Sequence, residues 1–204
     1  MTHAITNVEQ LEAIYGTPHE RALWKEIDFL NEDYQAFVKA SPFVVLASIG
    51  AGGVDCSPRG DVAGFIKILD KQTLAIPDRP GNNRIDSLRN IVENPMVSLL
   101  FLIPGVGEVL RVIGHAEITV DPDMLAMFEV DGKLPRTVII VKIDAAYFHC
   151  SRAIVRSHLW DADKYVERSS LPSPGAMHKR LSGGVFDAAT YDSELPERTK
   201  ASLY

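Results

Sequence analysis

The sequence predicts a mainly β fold, a six-stranded antiparallel barrel with flanking helices. Short apolar runs follow one another at hairpin spacing, with glycine-rich turns such as 50–53 and 104–107 between them. A late segment, 108–120, alternates between two faces as a half-buried strand does. Helical periodicity is confined to the first 40 residues, one central segment and the tail, which argues against alternating β/α units.

Length and composition describe an ordinary globular chain. Its 204 residues suit one domain with terminal additions, and 46% are hydrophobic and 24% charged. A net charge of −6 gives no reason to expect nucleic acid, so any basic site must be local. The polar start MTHAITNVEQ resembles no signal peptide, and Cys56 and Cys150 are expected to be reduced and to pack as small apolar residues. We expect a cytoplasmic protein.

Residues 1–40 are predicted to form helices that pack on the barrel. Capping boxes at Thr6 with Glu9 and at Thr17 with Glu20 indicate two helix starts. An apolar stripe at helical spacing follows, made of Leu23, Ile27, Leu30, Tyr34, Phe37 and Val38.

The barrel is predicted to span residues 41–160. Its strands are expected at 43–49, 54–57, 64–69, 73–76, 96–103, 108–120 and 136–148, and we expect the 96–103 strand to be buried on both faces. Asn83 is expected to cap a helix over 84–93, and a short helix is expected over 121–130. Residues 161–204 form a helical or irregular extension, with one predicted helix over 174–181.

The stretch 57–84 carries the clearest chemical signal. It places Arg59, Lys67, Arg79, Arg84 and Ser87 around one hairpin and one helix start, where free N–H groups and the helix dipole favour an anion. An arginine in a first helical turn is unfavourable unless an anion is near. The pattern predicts a phosphate site. The alternative is that these are surface cations with apolar stems.

Other patterns indicate no further chemistry. The 105–107 Gly-Val-Gly lacks the third glycine of a dinucleotide fingerprint, and the six histidines are too scattered for a metal site. No Gly-x-Ser-x-Gly elbow is present. A mixed cluster of cations and an aromatic, Arg152, Arg156, His158 and Trp160, follows the last strand.

Four segments together resemble a known family: SPRGDVAGFIKILD, TLAIPDRPGNNRIDSLRNI, NPMVSLLF and LRVIGHAEI. They are similar, over about residues 40–160, to the FMN-binding split barrel of the pyridoxamine 5′-phosphate oxidase-like superfamily, in an uncharacterised branch. The resemblance implies a homodimer with FMN sites at the subunit interface. It implies cofactor contacts from Arg59, Gly64, Phe65, Ile66, Lys67, Pro77, Asp78, Arg79, Asn83, Arg84, Ser87 and Arg111.

The resemblance also implies a substrate side, or partner-subunit side, formed by Arg156, His158 and Trp160. The chain departs from the oxidase there. Cys150 stands in the slot of its flavin-contacting tryptophan, and Trp160 stands in the slot of its late arginine. No counterpart of its Tyr/Arg/Ser set occurs between 121 and 136. These departures argue against pyridoxamine 5′-phosphate as the substrate.

We therefore expect an FMN-dependent oxidoreductase that acts on an unidentified small molecule, with no resident metal. Two other classes stay open. One is a flavin-binding or sensing protein without turnover. The other is a split barrel that binds haem or the deazaflavin coenzyme F420.

Overall fold

The computed structural model describes residues 3–204, so the first two residues of the predicted N-terminal region lie outside it. Its centre is one antiparallel sheet in the order β2-β1-β5-β6-β7-β4-β3. The strands are β1 Phe43–Gly50, β2 Gly53–Gly60, β3 Lys67–Asp70, β4 Thr73–Asp78, β5 Met96–Leu102, β6 Val109–Thr119 and β7 Thr137–His149.

The prediction of a mainly β antiparallel fold with flanking helices is confirmed. The barrel was predicted with six strands, whereas all seven segments expected as strands join one sheet, whose edge strands β2 and β3 are not paired with each other. The sheet is therefore open, as in a split barrel. The strand expected over 64–69 forms only the short β3, because the chain turns at Gly64, with φ +81°, before β3 begins at Lys67.

The described residues also contain eight α-helices. They are α1 Val8–Tyr15, α2 Glu20–Trp24, α3 Glu32–Ala40, α4 Asp86–Glu93, α5 Pro122–Ala126, α6 Arg152–Ser157, α7 Pro174–Leu181 and α8 Ala188–Ala201. α4 packs against β1, β2 and β6, which places its first turn beside β2. The prediction for 174–181 matches α7, whereas α8 was not predicted.

The main core fills one face of the sheet, and a smaller cluster of Ala75, Phe128, Val138 and Ile140 packs on the other face at β4 and β7. Alternate residues of β1, β5 and β6 point inward and are fully buried, among them Leu46, Phe101 and Val112. The N-terminal stripe joins this core through Leu30 and Val38, both fully buried. Side chains that alternate in this way leave the opposite face of the same strands partly exposed. The expectation that β5 is buried on both faces is therefore met on one face only.

Several predicted helix ends are corrected. α1 is capped by Asn7 and α2 by His19, and not by the threonines before them. α4 begins at Asp86 after Ile85, and Asn83 does not cap it. The helix predicted over 121–130 is only five residues long, because the chain leaves the helix after Ala126.

A glycine allows the paired strands β6 and β7 to approach closely at a β-bulge. The register shifts between Ile113 and Gly114, where Asp144 of β7 is the extra residue of a bulge. A Cβ atom on Gly114 would lie 2.0 Å from the carbonyl oxygen of Lys142. The close approach of the two strands there requires glycine.

Candidate functional site

A cavity of about 700 Å³ opens between β2, the end of β4 and the start of α4. Its volume lies in the range of small-molecule and cofactor sites. Four arginines and three aspartates line it: Arg59, Arg79, Arg84 and Arg136 with Asp55, Asp78 and Asp86. Lysine, histidine, cysteine and methionine are missing from this lining. The cations of the cavity are therefore all guanidinium groups, which match planar oxyanions.

Arg59 has most of its donors unused, because its only hydrogen bond within the described residues runs from Nη1 to the Pro58 carbonyl over 3.0 Å. It belongs to β2 and is paired with Val44 of β1. Its side chain is only 20% exposed, and Nη2 lies 3.7 Å from Asp78 Oδ1, which is longer than a hydrogen bond. Its buried Nε has no hydrogen-bond partner. A buried N–H without an acceptor is costly, so this group is suited to an oxyanion supplied by a ligand.

A second polar atom in the same lining is also unpartnered. Thr137 Oγ1 is buried and has no hydrogen-bond partner. Thr137 faces Asp78 across the β4–β7 ladder. Burial raises the pKa of Asp78, and the charges of Arg59 and Arg136 only partly oppose that rise. Two buried polar atoms without partners therefore belong to residues next to Asp78, one in ion contact with it and one paired with it across the ladder.

The entry to α4 is strained and has no side-chain cap. Asn83 and Ile85 both adopt left-handed backbone angles, at φ +59° and +53°. For a β-branched residue such as Ile85 this conformation is rare, and such strain is typical of ligand sites. No side chain caps the helix, so the N–H groups of its first turn are available to an anion.

Arg84 precedes this turn and does not lie within it. Its Nε is 2.7 Å from Asp86 Oδ2, and its side chain is 74% exposed. The pair holds Arg84 at the rim of the cavity in an aqueous environment, where ion pairs contribute little to stability. The guanidinium still retains donors for a ligand.

The Ser87 side chain already forms a hydrogen bond to a carboxylate. Its hydroxyl donates to Asp55 Oδ2 over 2.7 Å, and the Ser57 hydroxyl donates to the same oxygen over 2.9 Å. These two bonds, from Ser87 and then Ser57, lower the pKa of Asp55. Because a serine hydroxyl has one proton, Ser87 offers a ligand its backbone N–H rather than its side-chain donor.

Two further arginines complete the wall. Arg136 donates to Asn83 Oδ1 over 2.9 Å. Arg79 Nε is 3.1 Å from Asp61 Oδ2, and Arg79 Nη1 donates to the Phe128 carbonyl over 2.9 Å. Both arginines are therefore positioned by neighbouring groups from other parts of the chain.

The structure brings most of the predicted cofactor residues together and separates the others. The cavity is lined by Arg59, Phe65, Pro77, Asp78, Arg79, Asn83, Arg84 and Ser87. Four residues lie outside this lining. Gly64 lies in the turn before β3, Ile66 is in the core, Lys67 is exposed at the start of β3, and Arg111 lies on the outer face of β6.

Arg111 belongs to a separate aromatic cluster. Its Nη1 donates to the Tyr147 hydroxyl over 3.0 Å, and its guanidinium lies 5.6 Å from the centre of the Tyr147 ring. His149 packs on the same ring, and its buried Nε2 has no partner. Burial lowers the pKa of His149, and the charges of Arg111 and Lys25 lower it further.

The predicted substrate-side residues also lie apart from the cavity in the same chain. Arg156 and His158 are exposed, and His158 Nδ1 is 3.6 Å from Asp161 Oδ2. Trp160 donates its indole N–H to the Val106 carbonyl over 2.8 Å. Trp160 therefore joins the segment after α6 to the β5–β6 turn.

Sequence reasoning missed Arg136, Thr137, Asp55 and Ser57 as cavity residues. Asp55, Ser57 and Thr137 lie on strands, and Arg136 directly precedes β7. These side chains reach the cavity only because distant segments pair, as Thr137 does with Asp78. The expected burial of the cysteines was also wrong, since Cys56 and Cys150 are both exposed and free. The exposure of Cys56 follows from the position of β2 at the edge of the sheet, where one face has no covering layer.

Within residues 3–204, no group of three or more His, Cys, Asp or Glu side chains is placed to hold a metal ion. No helix in the same range has both the length and the apolar character needed to cross a membrane.

The fold defines the class of protein, a split barrel, and this one carries an arginine-lined cavity. The family model described as pyridoxamine 5′-phosphate oxidase matches residues 30–150. That range covers more than half of the chain and includes every strand. The chain belongs to the pyridoxamine 5′-phosphate oxidase-like family.

Solved structures with a similar outline include HupZ from Group A Streptococcus, with TM-score 0.47 and 17% identity over 57% of this chain and 91% of HupZ. A putative pyridoxamine 5′-phosphate oxidase from Lactobacillus delbrueckii has TM-score 0.46 and 21% identity, over 59% of this chain and 95% of that one. General Stress Protein 26 from Bacillus anthracis has TM-score 0.44 and 15% identity, over 56% of this chain and 88% of that one. No curated protein matches the chain. At TM-scores below 0.5, nothing about ligand or activity follows from these likenesses.

Proposed function

We propose that this protein binds FMN in the cavity between β2, β4 and α4 and acts as a flavin-dependent oxidoreductase on a small molecule. The observation that carries the proposal is the pair of unpartnered buried atoms, Arg59 Nε and Thr137 Oγ1, in one arginine-lined cavity. Family membership supports a flavin in particular.

The residues present fit the phosphate of FMN. Arg59 donates to the Pro58 carbonyl and Arg84 to Asp86, and their remaining guanidinium donors are available to a ligand. The uncapped first turn of α4 supplies backbone N–H groups. Phosphate oxygens would give the unpartnered Arg59 N–H the acceptor that it lacks. The single helix start in the lining suits one phosphate group rather than a pyrophosphate, which favours FMN over FAD.

The rest of the cavity suits the less polar part of the ligand. Phe65, Pro77 and Leu88 contribute apolar surface, and Phe65 and Pro77 are buried. When bound, the flavin supplies the hydride or electron transfer itself. The roles left to the chain are to bind the phosphate, to orient the ring and to limit the access of water.

A homodimer is part of the same proposal. The outer face of β1, β5 and β6 is mainly apolar yet partly exposed in the single chain, with Phe43 at 38% and Met96 at 40%. Arg111 lies on this face, opposite Leu100. Contact between two such faces would cover the apolar residues and bring Arg111 of one subunit toward the other. It would also explain why Arg156 and His158 lie far from the cavity of their own chain.

The cavity lining argues against haem at this position, because it offers neither histidine, cysteine, methionine nor tyrosine as an axial ligand. Coenzyme F420 also carries phosphate, so the lining alone does not separate it from FMN. The test is the absorption spectrum of the purified protein and the mass of the ligand released on denaturation. We expect flavin bands and FMN. A protein that ignores added FMN but takes up haem or F420 would refute the assignment.

A further inference from the structure

A residue far along the chain touches the wall of the cavity. The Tyr204 hydroxyl donates to Asp61 Oδ1 over 2.6 Å, and the Arg79 guanidinium lies 5.0 Å from the centre of the Tyr204 ring. Lys133 Nζ donates to the main-chain oxygen of Tyr204 over 2.9 Å. One tyrosine thus holds both members of the Asp61–Arg79 ion pair.

Arg79 links this contact to the ligand cavity. It lines the cavity of about 700 Å³ and also a neighbouring one of about 420 Å³, which Tyr204 and Asp61 line. The Arg79 side chain is 15% exposed and that of Asp61 is 3% exposed, so the pair is largely shielded from water. The hydrogen bonds described for Arg79 use Nε and Nη1, which leaves Nη2 for another acceptor.

The Asp61 carboxylate accepts hydrogen bonds from three groups. Oδ1 accepts from the Tyr204 hydroxyl and from the Val62 backbone N–H, and Oδ2 accepts from Arg79. Burial raises the pKa of Asp61, but the bonds from Tyr204, Val62 and Arg79 outweigh it and hold the pKa below its usual range. The hydrogen bond to Asp61 raises the pKa of Tyr204, so its hydroxyl stays a donor at neutral pH.

We propose that Tyr204 is a positioning residue for the ligand site, because its ring and hydroxyl fix the Asp61–Arg79 pair in the cavity wall. This inference rests on the proposed function. Without Tyr204, Arg79 loses the aromatic surface beside its guanidinium, and Asp61 loses a hydrogen-bond donor. A phosphate group that binds Arg79 must then order that long side chain itself, which weakens binding.

The first test measures dissociation constants of FMN and riboflavin for wild type, Tyr204→Phe and Tyr204→Ala. We expect the FMN affinity to fall about two- to fivefold in Tyr204→Phe and roughly tenfold in Tyr204→Ala, by the usual size of such contacts. Riboflavin affinity is expected to stay constant. In an Arg79→Ala background, Tyr204→Ala should cause no further loss. Leu203→Ala, which alters the same segment but leaves both contacts in place, is the matched control.

Equal losses for FMN and riboflavin, or an undiminished loss in the Arg79→Ala background, would overturn the inference, since Tyr204 would then act through the fold. A second test needs no ligand. Hydrogen exchange of the Arg79 Nε–H, followed by NMR in the ligand-free protein, should be faster in Tyr204→Phe than in wild type and unchanged in Leu203→Ala. An unchanged rate in Tyr204→Phe refutes the positioning role even if FMN binds, whereas a faster rate without FMN binding refutes only the proposed function.

Discussion

Replacement of Arg59 by alanine is expected to weaken FMN binding selectively. The Arg59 side chain is 20% exposed, and its buried Nε has no acceptor in the ligand-free chain. A charge-assisted hydrogen bond to phosphate contributes about 1.5–3 kcal/mol, which corresponds to a loss of roughly ten- to 150-fold in affinity. Little of this is offset in the free protein, because the contact with Asp78 is 3.7 Å long.

The assay is a titration of FMN and of riboflavin against wild type and Arg59→Ala, followed by flavin fluorescence, after thermal melts show that both proteins are folded. Riboflavin lacks the phosphate, so its affinity should change less than twofold. Arg89→Ala is the matched control, because Arg89 is an exposed arginine on α4 outside the cavity lining. An FMN affinity within twofold of wild type would refute the reasoning, as would equal losses for the two ligands.

Three further predictions test the rim, the assembly and the sheet. Arg84→Ala should lower the FMN affinity only about two- to fivefold, because this exposed side chain already pairs with Asp86. Asp86→Asn, which removes the competing carboxylate, should raise the FMN affinity, and titration of both variants checks these two expectations. Sedimentation should report a dimer for wild type and a shift toward monomer for Phe43→Asp, because dimerisation would bury an unpaired charge at the proposed interface. A wild-type monomer that binds FMN fully would refute the proposed interface. Gly114→Ala should lower the free energy of unfolding by about 1–3 kcal/mol, because the new Cβ atom would clash with the Lys142 carbonyl. Gly52→Ala is the control, since open space surrounds Gly52, and denaturant melts should show little change in its free energy of unfolding.

The local parts of the fold could be read from the sequence. Strand positions follow from period-2 alternation, as in β6, where Val112 and Ala116 are buried and His115 and Glu117 are exposed. The end of α1 at Gly16 and the extent of α7 follow from glycine and Ser-Pro signals. α8 was missed because its sequence is polar and contains Pro196, and such a segment has no strong apolar period.

The site was predictable only where its residues are close in sequence. Arg59, Arg79 and Arg84 lie within one stretch with turn and helix signals, and the structure places all three around one cavity. Thr137 begins a strand that pairs with β4 across nearly sixty residues, and Arg136 directly precedes it. No local pattern encodes that register. The left-handed Ile85 was likewise unpredictable, because a β-branched residue rarely adopts this conformation.

The measurement that tests the central claim most directly is the ratio of the FMN and riboflavin dissociation constants for the wild-type protein. The claim is that the arginine-lined cavity recognises the phosphate of a flavin mononucleotide. We predict that FMN binds at least about tenfold more tightly than riboflavin, with the ratio falling as salt is added, because charge-assisted bonds to phosphate supply the difference. Equal dissociation constants, or no binding of either flavin, would contradict the claim.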